Sequence, residues 1–89
     1  MLKIERIESV TGAATLRLEG RAIGPWVEEL QRSCEQVLGT GAGLTLDLSE
    51  VWFVDRPGVR LLRTLKDRDV KLVNASGFVA ELLKGEVGG

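Results

Sequence analysis

The fold is decided by the stretch LTLDLSEVWFVDRPGVRLLRTL, residues 44–65. Its first part alternates apolar and polar residues, which is the period of a β-strand with one buried face. The alternating residues are Leu44, Leu46 and Leu48 against Thr45, Asp47 and Ser49. A short apolar segment at residues 51–54 follows the strand and leads into a turn at residues 55–58.

The turn joins the strand to a helix. Pro57 fixes its own φ and disfavours helical geometry at Arg56, so we expect the helix to begin at Pro57. Helical spacing then gives this segment one apolar side and one basic side. The apolar side carries Gly58, Val59, Leu61, Leu62 and Leu65, and the basic side carries Arg56, Arg60 and Arg63.

Length and composition narrow the classes of function. The chain has 89 residues, which is one domain, and is too small for an enzyme with a deep cleft. Its net charge is −1 with both signs interspersed, so nothing indicates a nucleic-acid or membrane-surface partner. Cys34 is the only cysteine and histidine is absent, so we expect no disulfide, no metal site and no catalytic triad. The sequence favours a non-enzymatic module without a cofactor.

The N-terminal region predicts a hairpin and then a helix. Leu2 and Ile4 begin the first strand, and Ile7 lies out of phase, which suggests a bulge. The second strand follows a turn at Thr11-Gly12 and should pair antiparallel with the first. Alternation begins at once and no long apolar run occurs, so we expect a cytoplasmic protein with no signal peptide and no membrane insertion.

The first helix should follow a loop at residues 20–24 and start at Pro25. Its buried stripe comprises Val27, Leu30, Cys34, Val37 and Leu38. For Trp26 we favour packing on the sheet edge over a role as a binding anchor, since large aromatic side chains are mostly buried. Residues 39–43, GTGAG, resemble a phosphate loop, but they leave a helix and enter a strand, so we interpret them as a helix cap and connection.

The C-terminal region predicts one more strand and helix. A polar turn at 67–69 precedes a strand at Val70–Val73, and Ser76 is suited to cap a third helix. That helix should bury Phe78, Val79, Leu82 and Leu83. We expect a single domain at residues 1–84 and a flexible tail at 85–89.

The predicted order is β-β-α-β-α-β-α, an α/β domain with a mixed four-stranded sheet in the order 1-2-3-4. Polar residues at alternate strand positions indicate two layers, with helices mainly on one face of the sheet. Because the chain ends before another strand can be added, the strand at Val70–Val73 should be a free edge. A homodimer or an added partner strand at this edge is the corresponding hypothesis.

The chain resembles the STAS domain family, which includes bacterial anti-sigma factor antagonists (anti-anti-sigma factors) and the cytoplasmic tails of some anion transporters. The similarity lies in residues 44–51 running into 53–59, which look like the family's strand, Asp-Leu-Ser element and Asp-Ser-Ser-Gly turn, with further support from 71–76. In the antagonists, the residue before the turn's glycine is a phosphorylated Ser or Thr. Here it is Pro57, which has no hydroxyl, so we expect no phosphorylation at that position.

The resemblance implies a regulatory module for protein–protein interaction in bacterial signal transduction and transcription regulation. Its partner would be an anti-sigma factor or related kinase. The expected partner-binding residues are Asp55, Arg56, Pro57, Gly58, Arg60 and Arg63. The helix start should offer free N–H groups and a partial positive charge there. The alternatives are an accessory STAS subunit of an ATP-driven lipid transporter, which would bind the ATPase, and a scaffold subunit of a signalling complex.

Overall fold

A computed structural model describes residues 1–84, and the predicted tail at 85–89 lies outside the described residues. The elements follow in the predicted order β-β-α-β-α-β-α. Their bounds are β1 Leu2–Glu8, β2 Ala14–Ala22, α1 Pro25–Leu38, β3 Leu44–Val54, α2 Arg56–Asp67, β4 Lys71–Val73 and α3 Gly77–Lys84. No helix within residues 1–84 has both the length and the apolar character needed to span a bilayer.

The four strands form one mixed sheet in the order β1-β2-β3-β4. β1 is antiparallel to β2, whereas β2, β3 and β4 are mutually parallel. The predicted α/β class, strand order and strand directions are thus confirmed. Among the described residues, β4 pairs only with Thr45–Asp47, so it forms a short edge there. α3 lies against β3 and α2.

The core lies between the sheet and the helices. α1 contacts β2 and β3, and α2 contacts β4. The largest fully buried side chains include Leu16 and Leu18 of β2, Leu46 and Leu48 of β3, Leu30 of α1 and Leu62 and Leu65 of α2. The alternate strand residues, such as Arg17 and Asp47, are exposed or half-buried on the other face. This confirms the prediction that the helices cover one face and leave the other wet.

The bulges lie in a different strand from the one that the sequence indicated. β1 and β2 pair without interruption from Leu2↔Gly20 to Glu8↔Ala14, so the bulge predicted in the first strand is wrong, and Ile7 is simply exposed. The β2–β3 register shifts twice instead, between Arg17 and Glu19 and between Gly20 and Arg21, each time by one extra residue of β3.

These two bulges explain why β3 is longer than the sequence predicted. Its buried residues are spaced by two and then by three: Leu44, Leu46, Leu48, Val51 and Val54. The apolar segment at 51–54 is therefore a continuation of β3.

β2 also continues through Gly20 to Ala22, which reduces the predicted loop at 20–24 to Ile23 and Gly24. Gly20 has φ +113°, and a Cβ there would lie 2.5 Å from the Met1 carbonyl oxygen, so close strand approach accounts for this glycine.

Candidate functional site

Asp55 connects two turns at the carboxyl ends of β2 and β3. Its backbone is extended, with φ −80° and ψ 177°, and it is the N-cap of α2. Its Oδ1 accepts a hydrogen bond from the Gly58 N–H at 2.9 Å. Its Oδ2 accepts one from the N–H of Gly24, the N-cap of α1, also at 2.9 Å. Both carboxylate oxygens are therefore engaged within the fold, and Asp55 positions the turn.

The start of α2 has fewer free backbone N–H groups than expected. Pro57 has no N–H, the Gly58 N–H donates to the Asp55 side chain, and the Val59 N–H donates to the Asp55 carbonyl at 2.9 Å. The prediction that free N–H groups are available at the helix start is therefore wrong for these three residues. The physical reason is that the protein's own carboxylate occupies the site where an external anion would bind.

The helix also begins one residue earlier than the sequence indicated. Arg56 is its first residue and Pro57 its second. Proline fits the second position because an N–H there has no partner within the helix, so nothing is lost. Pro57 disfavours helical geometry at the residue before it, Arg56. Arg56 is helical all the same, because the Asp55 side chain holds the first turn by accepting a hydrogen bond from the Gly58 N–H.

Gly58 is a packing residue and presents no surface. It is buried, and a Cβ on it would lie 2.6 Å from Val54 Cγ1 and 2.9 Å from the Ala22 carbonyl oxygen. Those distances leave no room for a side chain, so α2 can approach the ends of β2 and β3 only with glycine at this position. Of the predicted partner-binding residues, Gly58 and Asp55 therefore have structural roles that set the position and geometry of the turn.

The arginines form the outer part of the site. Arg56 and Arg60 are exposed on the first two turns of α2, and Arg63 is half-buried. Within residues 1–84 none of the three is in a salt bridge; the ion pairs there are Arg6–Glu8, Arg32–Glu29 and Arg68–Glu35. The structure thus brings Arg56 and Arg60 together with exposed Pro57 on one accessible surface.

Exposed aromatic side chains flank the turn, and sequence analysis did not predict them as site residues. The Phe53 and Phe78 rings stack with centroids 6.1 Å apart and remain 37% and 55% exposed. Phe78 was predicted to be buried, and that prediction is wrong: Val79 is the fully buried residue of α3. The indication in the sequence was Phe53, two residues before the turn, because aromatics and arginine together are typical of interface hot spots.

Two tryptophans lie near the same end of the sheet. Trp52 is 62% exposed, and the Arg21 guanidinium lies 5.2 Å from its ring centroid, a cation–π contact on the open face. Trp26, in the first turn of α1, is 36% exposed. Trp26 is therefore only partly covered, and its packing on the sheet edge stays a prediction.

Asp47, of the Asp-Leu-Ser element, has a structural role. Its Oδ1 accepts hydrogen bonds from the Ser49 N–H at 3.0 Å and from Asn74 Nδ2 at 3.3 Å. The hydrogen bonds from Ser49, followed by that from Asn74, hold the pKa of Asp47 below its usual value. Asn74 has φ +61° immediately after β4, so Asp47 fixes the end of the edge strand against β3.

Cys34 lies in the core, as predicted. Its side chain is fully buried on α1. Burial raises the pKa of the Cys34 thiol to about 12. The thiolate that would act as a nucleophile is therefore strongly disfavoured.

Comparison with known proteins gives structural matches only. No family model and no curated protein matches the sequence. The anti-sigma factor antagonist SpoIIAA in its unphosphorylated form superposes with a TM-score of 0.68 at 19% identity, over 92% of this chain and 82% of that one. An anti-sigma factor antagonist STAS domain from Rhodobacter sphaeroides gives 0.64 at 21% identity, over 86% and 94% respectively. With the shared element order and mixed sheet, these matches show that the chain has the STAS-domain fold.

Proposed function

We propose that the chain is a non-enzymatic, cytoplasmic regulatory module of the bacterial anti-sigma factor antagonist type. It docks a partner protein through the turn at 55–58 and the first turns of α2. The observation that carries this proposal is the exposed pair Arg56 and Arg60, which has no salt bridge within residues 1–84 and stands on a turn held by Asp55. A rigid turn reduces the entropy lost on binding.

The surface chemistry favours an acidic partner with an apolar anchor. Guanidinium groups make strong paired hydrogen bonds with carboxylates. The stacked Phe53 and Phe78 rings supply exposed apolar area near the turn. An acidic surface that also buries these rings would combine electrostatic steering with the aromatic contacts typical of binding hot spots. An anti-sigma factor or related kinase is the partner class that we propose.

Phosphorylation of a serine or threonine hydroxyl cannot occur at the turn, because residues 55–58 contain no hydroxyl group. If the module is phosphorylated, the candidate acceptors are Ser49 and Ser76, which are both exposed. Ser76 caps α3, with its Oγ accepting from the Val79 N–H at 3.2 Å. A phosphate there would sit at a helix start, a favourable position for negative charge. Incubation with a captured kinase and mapping by mass spectrometry identifies the site.

The test is quantitative capture from a lysate of the source cell, with bound proteins identified by mass spectrometry. The immobilised chain is compared with Arg56→Glu/Arg60→Glu and with Lys3→Glu/Arg17→Glu, which makes the same change in charge on β1 and β2. We expect the first variant to stay folded and to lose the partner, and the second to retain it. With the purified partner, the first variant should also show a slower association rate and a weaker dependence on salt.

The proposal fails if the folded Arg56→Glu/Arg60→Glu protein binds the same partner with unchanged affinity at low and high salt. In that case the arginines only solvate an outer helix face, and the docking surface lies elsewhere. Circular dichroism of each variant separates loss of binding from loss of fold, because exposed substitutions usually change stability by only about 0.5 kcal/mol.

A further inference from the structure

A groove of about 980 Å³ lies at the β4 edge, away from the turn at 55–58. It is bordered by the second half of α2, the β4 strand and α3. Leu72 of β4 and Leu83 of α3 line it and are only half-buried, although both pack against the core. The groove therefore has an apolar floor that the described residues leave partly uncovered.

The rim of the groove is cationic. Arg63, Lys66, Lys71 and Lys84 line it, against Asp67 and Asp69, which leaves an excess of two positive charges. None of the six is in a salt bridge within residues 1–84. Four cations around an apolar floor favour an occupant that carries both carboxylates and aliphatic side chains.

β4 adds backbone hydrogen-bonding capacity beside this floor. It pairs with β3 through Thr45–Asp47 and has no strand on its outer side within residues 1–84. Asp69 and Asn74, both with positive φ, bracket the strand and turn the chain sharply at each end. The result is a short, well-defined edge to which an extended segment can be added.

We propose that this groove binds an extended segment of a partner protein, with acidic residues alternating with aliphatic ones, as an additional strand along β4. The inference rests on the proposed role in protein interaction but uses a different surface from Arg56 and Arg60. A second copy of this chain is disfavoured as occupant, because it would bring the same excess of positive charge to the same place. The aliphatic residues would cover Leu72 and Leu83, and the acidic residues would meet the lysines.

The test uses short random peptides displayed on phage and selected on the immobilised full chain. Selected peptides are then synthesised and titrated by fluorescence anisotropy against wild type, Lys66→Glu/Lys84→Glu, Arg56→Glu/Arg60→Glu and Lys3→Glu/Arg17→Glu. We expect enrichment of alternating acidic and aliphatic residues. Affinity should fall at least about tenfold in Lys66→Glu/Lys84→Glu alone, and amide shifts in NMR should centre on Lys71–Val73.

Three results would overturn the inference: no enrichment, equal binding to Lys66→Glu/Lys84→Glu, or amide shifts that avoid β4. A fourth such result could come from sedimentation of the free chain, which measures its oligomeric state. A concentration-dependent dimer whose NMR shifts lie on β4 would show that a second copy is the occupant. The two proposals are separable, because loss of the captured partner in Arg56→Glu/Arg60→Glu supports the docking turn whether or not the groove binds a peptide.

Discussion

The carboxylate of Asp55 accepts a hydrogen bond from the backbone N–H of Gly24, 31 positions earlier in the chain, at 2.9 Å. Its other oxygen caps α2 through Gly58. One side chain thus fixes the β2–α1 and β3–α2 junctions relative to each other. Because Arg56 and Pro57 follow directly, the geometry of the candidate docking surface depends on a contact made far away in sequence.

Replacing Asp55 with alanine removes both of these hydrogen bonds. We expect Asp55→Ala to lower the free energy of unfolding by about 2 kcal/mol or more, since a capping side chain and a charge-assisted bond are lost together. Asp55→Ser should recover part of this loss, because serine can cap α2 but is too short to reach Gly24 as well. Urea denaturation measures the free energy of unfolding of wild type, Asp55→Ala and Asp55→Ser.

Asp67→Ala, at the last residue of α2, is the control, because Asp67 has no side-chain hydrogen bond or salt bridge within residues 1–84. Its stability should stay close to that of wild type. Equal stability of Asp55→Ala and wild type would contradict the assigned role of Asp55.

Adding one methyl group distinguishes two glycines. We expect Gly58→Ala to destabilise the protein by about 1–3 kcal/mol, because the new Cβ would lie 2.6 Å from Val54 Cγ1. Gly77→Ala, in the first turn of α3, has no atom of residues 1–84 within 4 Å of the added Cβ, so it should be neutral or slightly stabilising. Thermal unfolding compares the pair, and similar midpoints would disprove the close packing of α2 on the strands.

The ion pair between Glu35 and Arg68 should make stability depend on pH. Arg68 Nη1 and Nη2 donate to the Glu35 carboxylate at 2.7 and 3.1 Å, joining α1 to the end of α2. The hydrogen bonds from Arg68 lower the pKa of Glu35 in the folded state below the ordinary value for a glutamate. The stabilisation is therefore present above the pKa of Glu35 in the unfolded chain and is lost as the pH falls through the folded-state pKa.

We expect Glu35→Gln to be less stable than wild type at pH 7 and the difference to shrink in acid. Glu81→Gln, on α3, removes an acidic group that has no salt bridge within residues 1–84 and is the matched control. Denaturant titrations across the acid range provide the comparison. A Glu35→Gln deficit that persists undiminished at low pH would show that the charge of Glu35 is not its source.

Cys34 should behave as an inert thiol. Its full burial, together with a pKa raised to about 12, predicts very slow reaction with an aromatic disulfide reagent at neutral pH. Reaction should become fast in denaturant, so its rate reports opening of the core. Fast labelling of the native protein would contradict the position of α1.

The sequence predicted the strand order well because local alternation and short connections restrict the possible topologies. The sequence-based prediction was wrong where contacts between strands change the spacing of buried residues. The spacing by three at Leu48, Val51 and Val54 arises from bulges that exist only against β2. The predicted loop at 20–24 includes Gly20, whereas in the structure this glycine lies within β2 and allows the chain at Met1 to approach closely.

The sequence predicted the position of the turn but not the contacts that hold it. The motif at 55–58 indicated a strand-to-helix turn, whereas the partner of Asp55 Oδ2, Gly24, lies too far away in sequence for any local pattern to indicate it. Exposure of Phe78 likewise depends on its stacking with Phe53 instead of entering the core beside Val79. Helical spacing alone cannot separate these two environments.

The second bulge of β3 also gives the protein an intrinsic optical reporter. It directs Trp52 to the open face, against Arg21, while the next residue, Phe53, stacks on α3. The chain has only one other tryptophan, Trp26, at the start of α1. Two variants that each keep one tryptophan would therefore report separately on the open face, through Trp52, and on the helix layer, through Trp26. Quenching of their fluorescence by iodide would show which of these two faces a bound partner shields.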